Sequence, residues 1–140
     1  MSYDRLIQEH DAIEALTDAL VALVAGQPAT AEAAALLERV AALIRDHMAD
    51  EEQTLAATLD AAARDRHHAA AANAMRDVEQ LREDWALYLY RWTRVAIAAD
   101  WGRFAVETRA MMERVGERVA RETGILYSLA LHYRLIAPER

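Results

Sequence analysis

No cysteine occurs among the 140 residues, which removes disulfides, zinc–thiolate sites, iron–sulfur clusters and thiol catalysis from consideration. Lysine is missing as well: the 16 basic residues are all arginine, outnumbered by 23 Asp and Glu to give a net charge of -7. That balance argues against a nucleic-acid-binding surface. Serine is confined to Ser2 and Ser128. Gly-rich phosphate loops, the Gly-x-Ser-x-Gly turn and the His-Glu-x-x-His helix are absent, so a hydrolase or nucleotide enzyme has nothing to work with. The Glu-x-x-His pair of ferritin-like di-iron bundles is absent too. No apolar run approaches the roughly 20 residues that span a bilayer. The start, Met1 to Arg5, lacks the basic-then-apolar pattern of a signal peptide. The expectation is one soluble, cytoplasmic domain over residues 1–140 that engages neither nucleic acid nor membrane.

With only four glycines and two prolines, and alanine abundant, the chain reads as all-helical. Helix 1 is expected from Ser2, as N-cap, to Ala25, and is broken by Gly26-Gln27-Pro28. Thr30 is the expected N-cap of helix 2, which should reach about Leu59. Helix 3 should begin near Asp65. Its end is marked by no Gly or Pro before Gly102, so two boundaries compete. Either Thr93 caps a fourth helix, or helix 3 continues and Asp100 does so; the Thr93 break is preferred.

Ionisable residues interrupt the apolar stripes. On helix 2 the stripe Leu36, Val40, Ile44 resumes at Leu55 and Leu59, and His47 and Glu51 fill the gap, four residues apart on one helix face. His10 lies between Leu6 and Ile13, His68 precedes Ala71 and Met75, and Glu122 lies between Val115 and Leu126. A lone buried His or a solvated His–Glu pair is common. Several such interruptions converging in one core point instead to a metal site, because buried ionisable groups are costly unless paired or metal-bound. Depth in an up-down bundle supports one layer: the midpoint of His10 and His47 is 28.5, beside Pro28, and that of His68 and Arg118 is Thr93. Glu51 and His68 have theirs at 59.5, near an expected turn at Asp60. His68 is preferred to His67 as the inward residue because it continues the stripe Met75, Val78, Leu81 and Trp85.

Glu9-His10-Asp11 on helix 1, His47-x-x-x-Glu51-Glu52 on helix 2, a His early on helix 3 and Glu122-x-x-x-Leu126-Tyr127 on helix 4 resemble the hemerythrin, or HHE cation-binding, family over nearly the whole chain. The resemblance implies a left-handed, up-down-up-down four-helix bundle holding non-haem iron, as one ion or a pair. It implies His10, His47, Glu51, His68 and Glu122 as metal ligands, and dioxygen or a small oxidant as the reactive partner. Where the family places a fourth-helix His, this chain has Arg118, and the second helix-3 His is also missing. Reversible oxygen carriage is therefore not expected. Arginine stays protonated and offers no lone pair. Its guanidinium either forks against Glu51 or Glu122, replacing the metal in a metal-free interaction or regulatory module, or extends outward along its stem.

Two further features stand apart. Trp85, Tyr88, Tyr90, Trp92 and Trp101 collect at the helix 3–helix 4 end, either as a core plug or as an exposed patch for a protein partner or a homodimer. Arg103, Arg109, Arg114 and Arg121 alternate with Glu107, Glu113 and Glu117, a solvated face with local ion pairs. His132 is expected at the surface or in packing.

Overall fold

The structure, a computed structural model, describes residues 2–138, and among these it is all-helical apart from an isolated bridge between Ser2 and Ala137. Helix α1 spans Tyr3–Val24, and Ser2 caps it by accepting the Arg5 N–H at 3.2 Å. Helix α2 spans Thr30–Ala62, with Thr30 as its first residue rather than its cap. Helix α3 spans His68–Arg91. Both rival caps further on are real. Thr93 accepts the Ala96 N–H and opens α4, a six-residue helix over Arg94–Ala99. Asp100 then accepts the Arg103 N–H and opens α5, Trp101–Glu122. The break at Thr93 stands, and Asp100 adds a second one.

Beyond Glu122 the chain stays helical but widens into a π-turn over Thr123–Tyr127 before the short α6, Ser128–His132. The C-terminus of α6 closes with Leu135 N–H to Ala130 O at 2.8 Å and Arg134 N–H to Leu131 O at 3.1 Å. This Schellman closure holds Arg134 at φ 58, where glycine is usual. The Tyr3 N–H then bonds Ala137 O at 2.8 Å, tying the tail to the start of α1.

In this helical bundle α1 packs on α2 and α5, and α3 packs on the same two helices. The apolar interior divides in two. One part holds Leu20, Val40, Trp85, Ile97, Phe104 and Val115; the other holds Leu6, Leu55, Ala74, Val78, Leu126 and Ala130. Buried His10, His47, Glu51 and Glu122 lie between them. Trp85, Tyr88 and Trp92 are buried and plug the α3–α5 end, with the Tyr88 hydroxyl 2.6 Å from that of Thr108. Tyr90 is exposed. The arginines and glutamates of α5 pair mostly across to other elements rather than locally: Arg121 with Asp77 at 2.6 Å, Arg114 with Asp84, and Glu107 with Arg91 on α3 at 2.9 Å. No helix among the described residues is long and apolar enough to cross a membrane.

Candidate metal centre

Three helices bring four of the expected ligands together. His10 comes from α1, His47 and Glu51 from one face of α2, and Glu122 from the last residue of α5. One donor atom from each lies within 4.8 Å of all the others. The Nε2 atoms of His10 and His47 are 2.8 Å apart. Glu51 Oε2 is 2.9 Å from His47 Nε2, and Glu122 Oε1 is 3.2 Å from His10 Nε2.

His68 does not join them. It is exposed, on the first residue of α3. The expected match in depth fails because α2 runs on to Ala62 and the turn lies at residues 63–67, not at Asp60. A turn centred on 65 sets Glu51 level with residue 79, about three helical turns beyond His68. Correspondingly, α3 contributes Val78, Leu81, Arg82 and Trp85 to the cavity that Glu51 and Glu122 also line. His67 is half-buried against His132, ring centroids 5.4 Å apart, well away from the cluster.

Arg118 does not fork against Glu51 or Glu122. Its stem lines the same cavity, but its guanidinium extends outward to Asp77 at 2.9 Å. The cation facing the site is Arg82, whose Nη2 lies 3.8 Å from Glu51 Oε1. Arg82 Nε is buried and has no hydrogen-bond partner among the described residues.

The outer edges of both imidazoles are fixed. His47 Nδ1 donates to Glu9 Oε1 at 2.7 Å. Thr123 Oγ1 gives its own proton to Val119 O at 3.0 Å, so it accepts from His10 Nδ1, also at 3.0 Å. With both Nδ1 atoms protonated, neutral rings turn two Nε2 lone pairs toward each other. Buried carboxylates add further lone pairs to the same space. Such a set is repulsive until a cation or a proton sits among the donors. Nitrogen and carboxylate oxygen suit iron or zinc rather than calcium or magnesium. The residues present therefore fit a metal ion.

The electrostatics show the same demand for positive charge. Burial works against a charged His47, yet hydrogen bonds to Glu122, Glu51 and Glu9 outweigh it and raise the ring to about 10. Burial also opposes ionised Glu122, but His10 and His47 hold it at about 2. Glu51 moves the other way, raised by burial and by the Glu122 charge.

Sequence reasoning missed Arg82, and it placed Glu9 and Tyr127 within motifs without giving either a role at the site. Glu9 neighbours the core His10 but sits on the half-exposed edge, where a carboxylate attracts no notice. Tyr127 is fully buried, and its hydroxyl donates to Glu51 Oε2 at 2.7 Å.

A helical bundle with a buried His/Glu cluster able to hold a cation defines a class, and the comparison with protein families agrees with it. Residues 1–130 match the hemerythrin HHE cation-binding domain, and the chain belongs to that family. No match emerges among curated proteins or solved structures.

Proposed function

We propose that this protein binds non-haem iron through His10, His47, Glu51 and Glu122, and uses it to sense or handle oxygen or reactive oxygen species. The observation that carries this reading is the pair of facing Nε2 atoms, 2.8 Å apart, with both Nδ1 atoms already committed to Thr123 and Glu9. Bound iron supplies one-electron redox chemistry and coordination positions for a small oxidant. The adjoining cavity, ≈ 50 Å³, suits a ligand of a few atoms and excludes a bulky organic substrate.

We take the site to hold one ion rather than two. Glu51 Oε2 faces His47, while Oε1, the oxygen a bridging carboxylate would give a second ion, faces Arg82. The four α3 residues in that wall, Val78, Leu81, Arg82 and Trp85, include no metal donor. In this reading α1, α2, α3 and the combined α4–α6 segment form the left-handed, up-down-up-down four-helix bundle of a single domain.

A second reading, a metal-free interaction module, draws support from the exposed Leu87, Tyr90, Val95 and Val106 around the α3–α4–α5 end. A proton on His47 would then balance the buried carboxylates. Elemental analysis after anaerobic loading with Fe(II) separates the readings. One equivalent of iron is expected in the wild type and in His68→Ala, with a large loss in His47→Ala. Absence of iron in the wild type, or equal loss in both variants, overturns the assigned site.

A further inference from the structure

The four residues do not exhaust the donors at this centre. The Tyr127 hydroxyl oxygen stands 3.0 Å from His10 Nε2, 3.1 Å from His47 Nε2 and 2.7 Å from Glu51 Oε2. A phenol that merely supported a ligated carboxylate would need to touch Glu51 alone. Tyr127 has a single O–H, and Glu51 receives it. Its contacts with the two imidazole nitrogens therefore set oxygen lone pairs against nitrogen lone pairs, in the same space and at a spacing close to the 2.8 Å between the nitrogens themselves.

The placement is built by the backbone. In a regular α-helix, positions five apart differ by roughly 140° around the axis, so Glu122 and Tyr127 would face different ways. The π-turn over Thr123–Tyr127 spreads one extra residue into the turn and brings both side chains to the cluster. The Tyr127 ring is fixed there: it is fully buried and stacks on the His10 ring with centroids 5.1 Å apart and planes at 18°.

We propose that Tyr127 is a fifth protein ligand, binding the ion as a phenolate, an inference that rests on the iron reading above. Were ferric iron held there, the phenol O–H bond would break as the oxygen took up the ion. The electron pair would stay on oxygen, and the proton would pass to Glu51, the hydroxyl's hydrogen-bond acceptor at 2.7 Å. No oxidant or reductant is consumed in that exchange. A hard, anionic oxygen donor of this kind favours the ferric over the ferrous state, so the site would hold its iron mainly as Fe(III) in air.

The test uses the 140-residue chain loaded with iron and oxidised, with metal content measured in the same samples. Wild type should be visibly coloured by phenolate-to-iron charge transfer, and excitation into that band should enhance tyrosine ring vibrations in the Raman spectrum. Tyr127→Phe should keep a helical far-UV spectrum and bound iron but lose both signals. Tyr133→Phe, whose hydroxyl contacts Asp65 at another part of the bundle, should retain them. If Tyr127→Phe does not fold, ring-deuterated tyrosine in wild type identifies the vibrations. Phe substitutions at Tyr3, Tyr88, Tyr90 and Tyr133 then assign them by elimination. Iron-loaded wild type without the signals, or signals surviving in Tyr127→Phe, overturns Tyr127 as ligand and leaves the iron site standing. Wild type without iron overturns both.

Discussion

Glu9 holds His47 by its outer edge. The carboxylate accepts the Nδ1 proton at 2.7 Å, and the opposite nitrogen of the same ring points at Glu51 from 2.9 Å. Glu9 is itself steadied by Arg5, which lies 3.7 Å away and also reaches Asp50 at 3.4 Å. An anionic acceptor on Nδ1 makes the inner nitrogen a stronger donor and fixes its direction. Glu9→Gln should therefore weaken iron binding by about 10–100-fold, the usual range for loss of such a partner, while leaving the fold intact. Competition titration against a chromophoric chelator measures this. Unchanged affinity would show that Glu9 plays no part in orienting the ligand.

The pH dependence has a definite sign in metal-free protein. His47 is raised from 6.5 to about 10, so its contribution to stability is complete below pH 6.5 and is lost as pH rises through 10. Glu122 is lowered from 4.5 to about 2, so its contribution is present above pH 4.5 and is lost as pH falls through 2. Chelator-treated protein should be most stable between pH 4.5 and 6.5 and should melt progressively earlier toward pH 10. Iron replaces the His47 proton, so the gap in Tm between loaded and metal-free samples should widen over that alkaline limb. A gap that narrows there would contradict the shared site.

Arg82 and Arg118 should separate cleanly. Arg118 is a partly exposed ion pair with Asp77, which Arg121 also contacts, so Arg118→Ala should cost less than about 1 kcal/mol in urea unfolding. Arg82→Met keeps an apolar stem but removes the cation beside Glu51. Metal-free stability should fall, and iron should bind at least several-fold tighter, because a positive charge this close repels the ion. Weaker iron binding in Arg82→Met would show that Arg82 positions Glu51 rather than competing with the ion.

The backbone at Arg134 offers a stability test away from the site. Its φ of 58 places a Cβ where glycine is preferred, within a closure that otherwise satisfies the α6 carbonyls. Arg134→Gly should stabilise the protein by about 0.5–1 kcal/mol, the strain relieved less the extra freedom glycine gives the unfolded chain. Thermal unfolding of loaded and metal-free samples should show the gain in both.

His10, His47, Glu51 and Glu122 are legible in the sequence because each occupies a core position of a helix, and the α-helical period alone exposes a polar residue in an apolar stripe. The helix caps at Ser2, Thr93 and Asp100 are legible for a similar reason: their side chains accept a backbone N–H three residues on. His68 is misplaced by the same reasoning because the α2–α3 turn contains neither glycine nor proline, and a boundary set a few residues early shifts every depth on α3. Arg82 is invisible for the opposite reason. An arginine among Gln80, Glu83 and Asp84 reads as part of a solvated face, and only the packing of α3 on α2 turns it toward Glu51. Tyr127 belongs to the helix-4 motif, but its inward position is not legible because it depends on a turn that does not keep the α-helical period.

That turn behaves as a phase adjuster in the last helix. A π-turn amounts to one residue inserted into an α-helix, and everything beyond it is rotated by roughly 100° relative to an uninterrupted helix. Tyr127 and Ala130, five and eight residues beyond Glu122, are buried with that rotation in place. Gly124 fills no packing role, since a methyl group added to its Cα would meet no atom within 4 Å. Deleting it would restore the regular winding. Tyr127 would then stand four residues from Glu122, roughly 40° away around the axis, and its hydroxyl would stay at the cluster. A single-residue deletion would thus remove the surplus residue of the turn while keeping the terminal segment in phase with the centre.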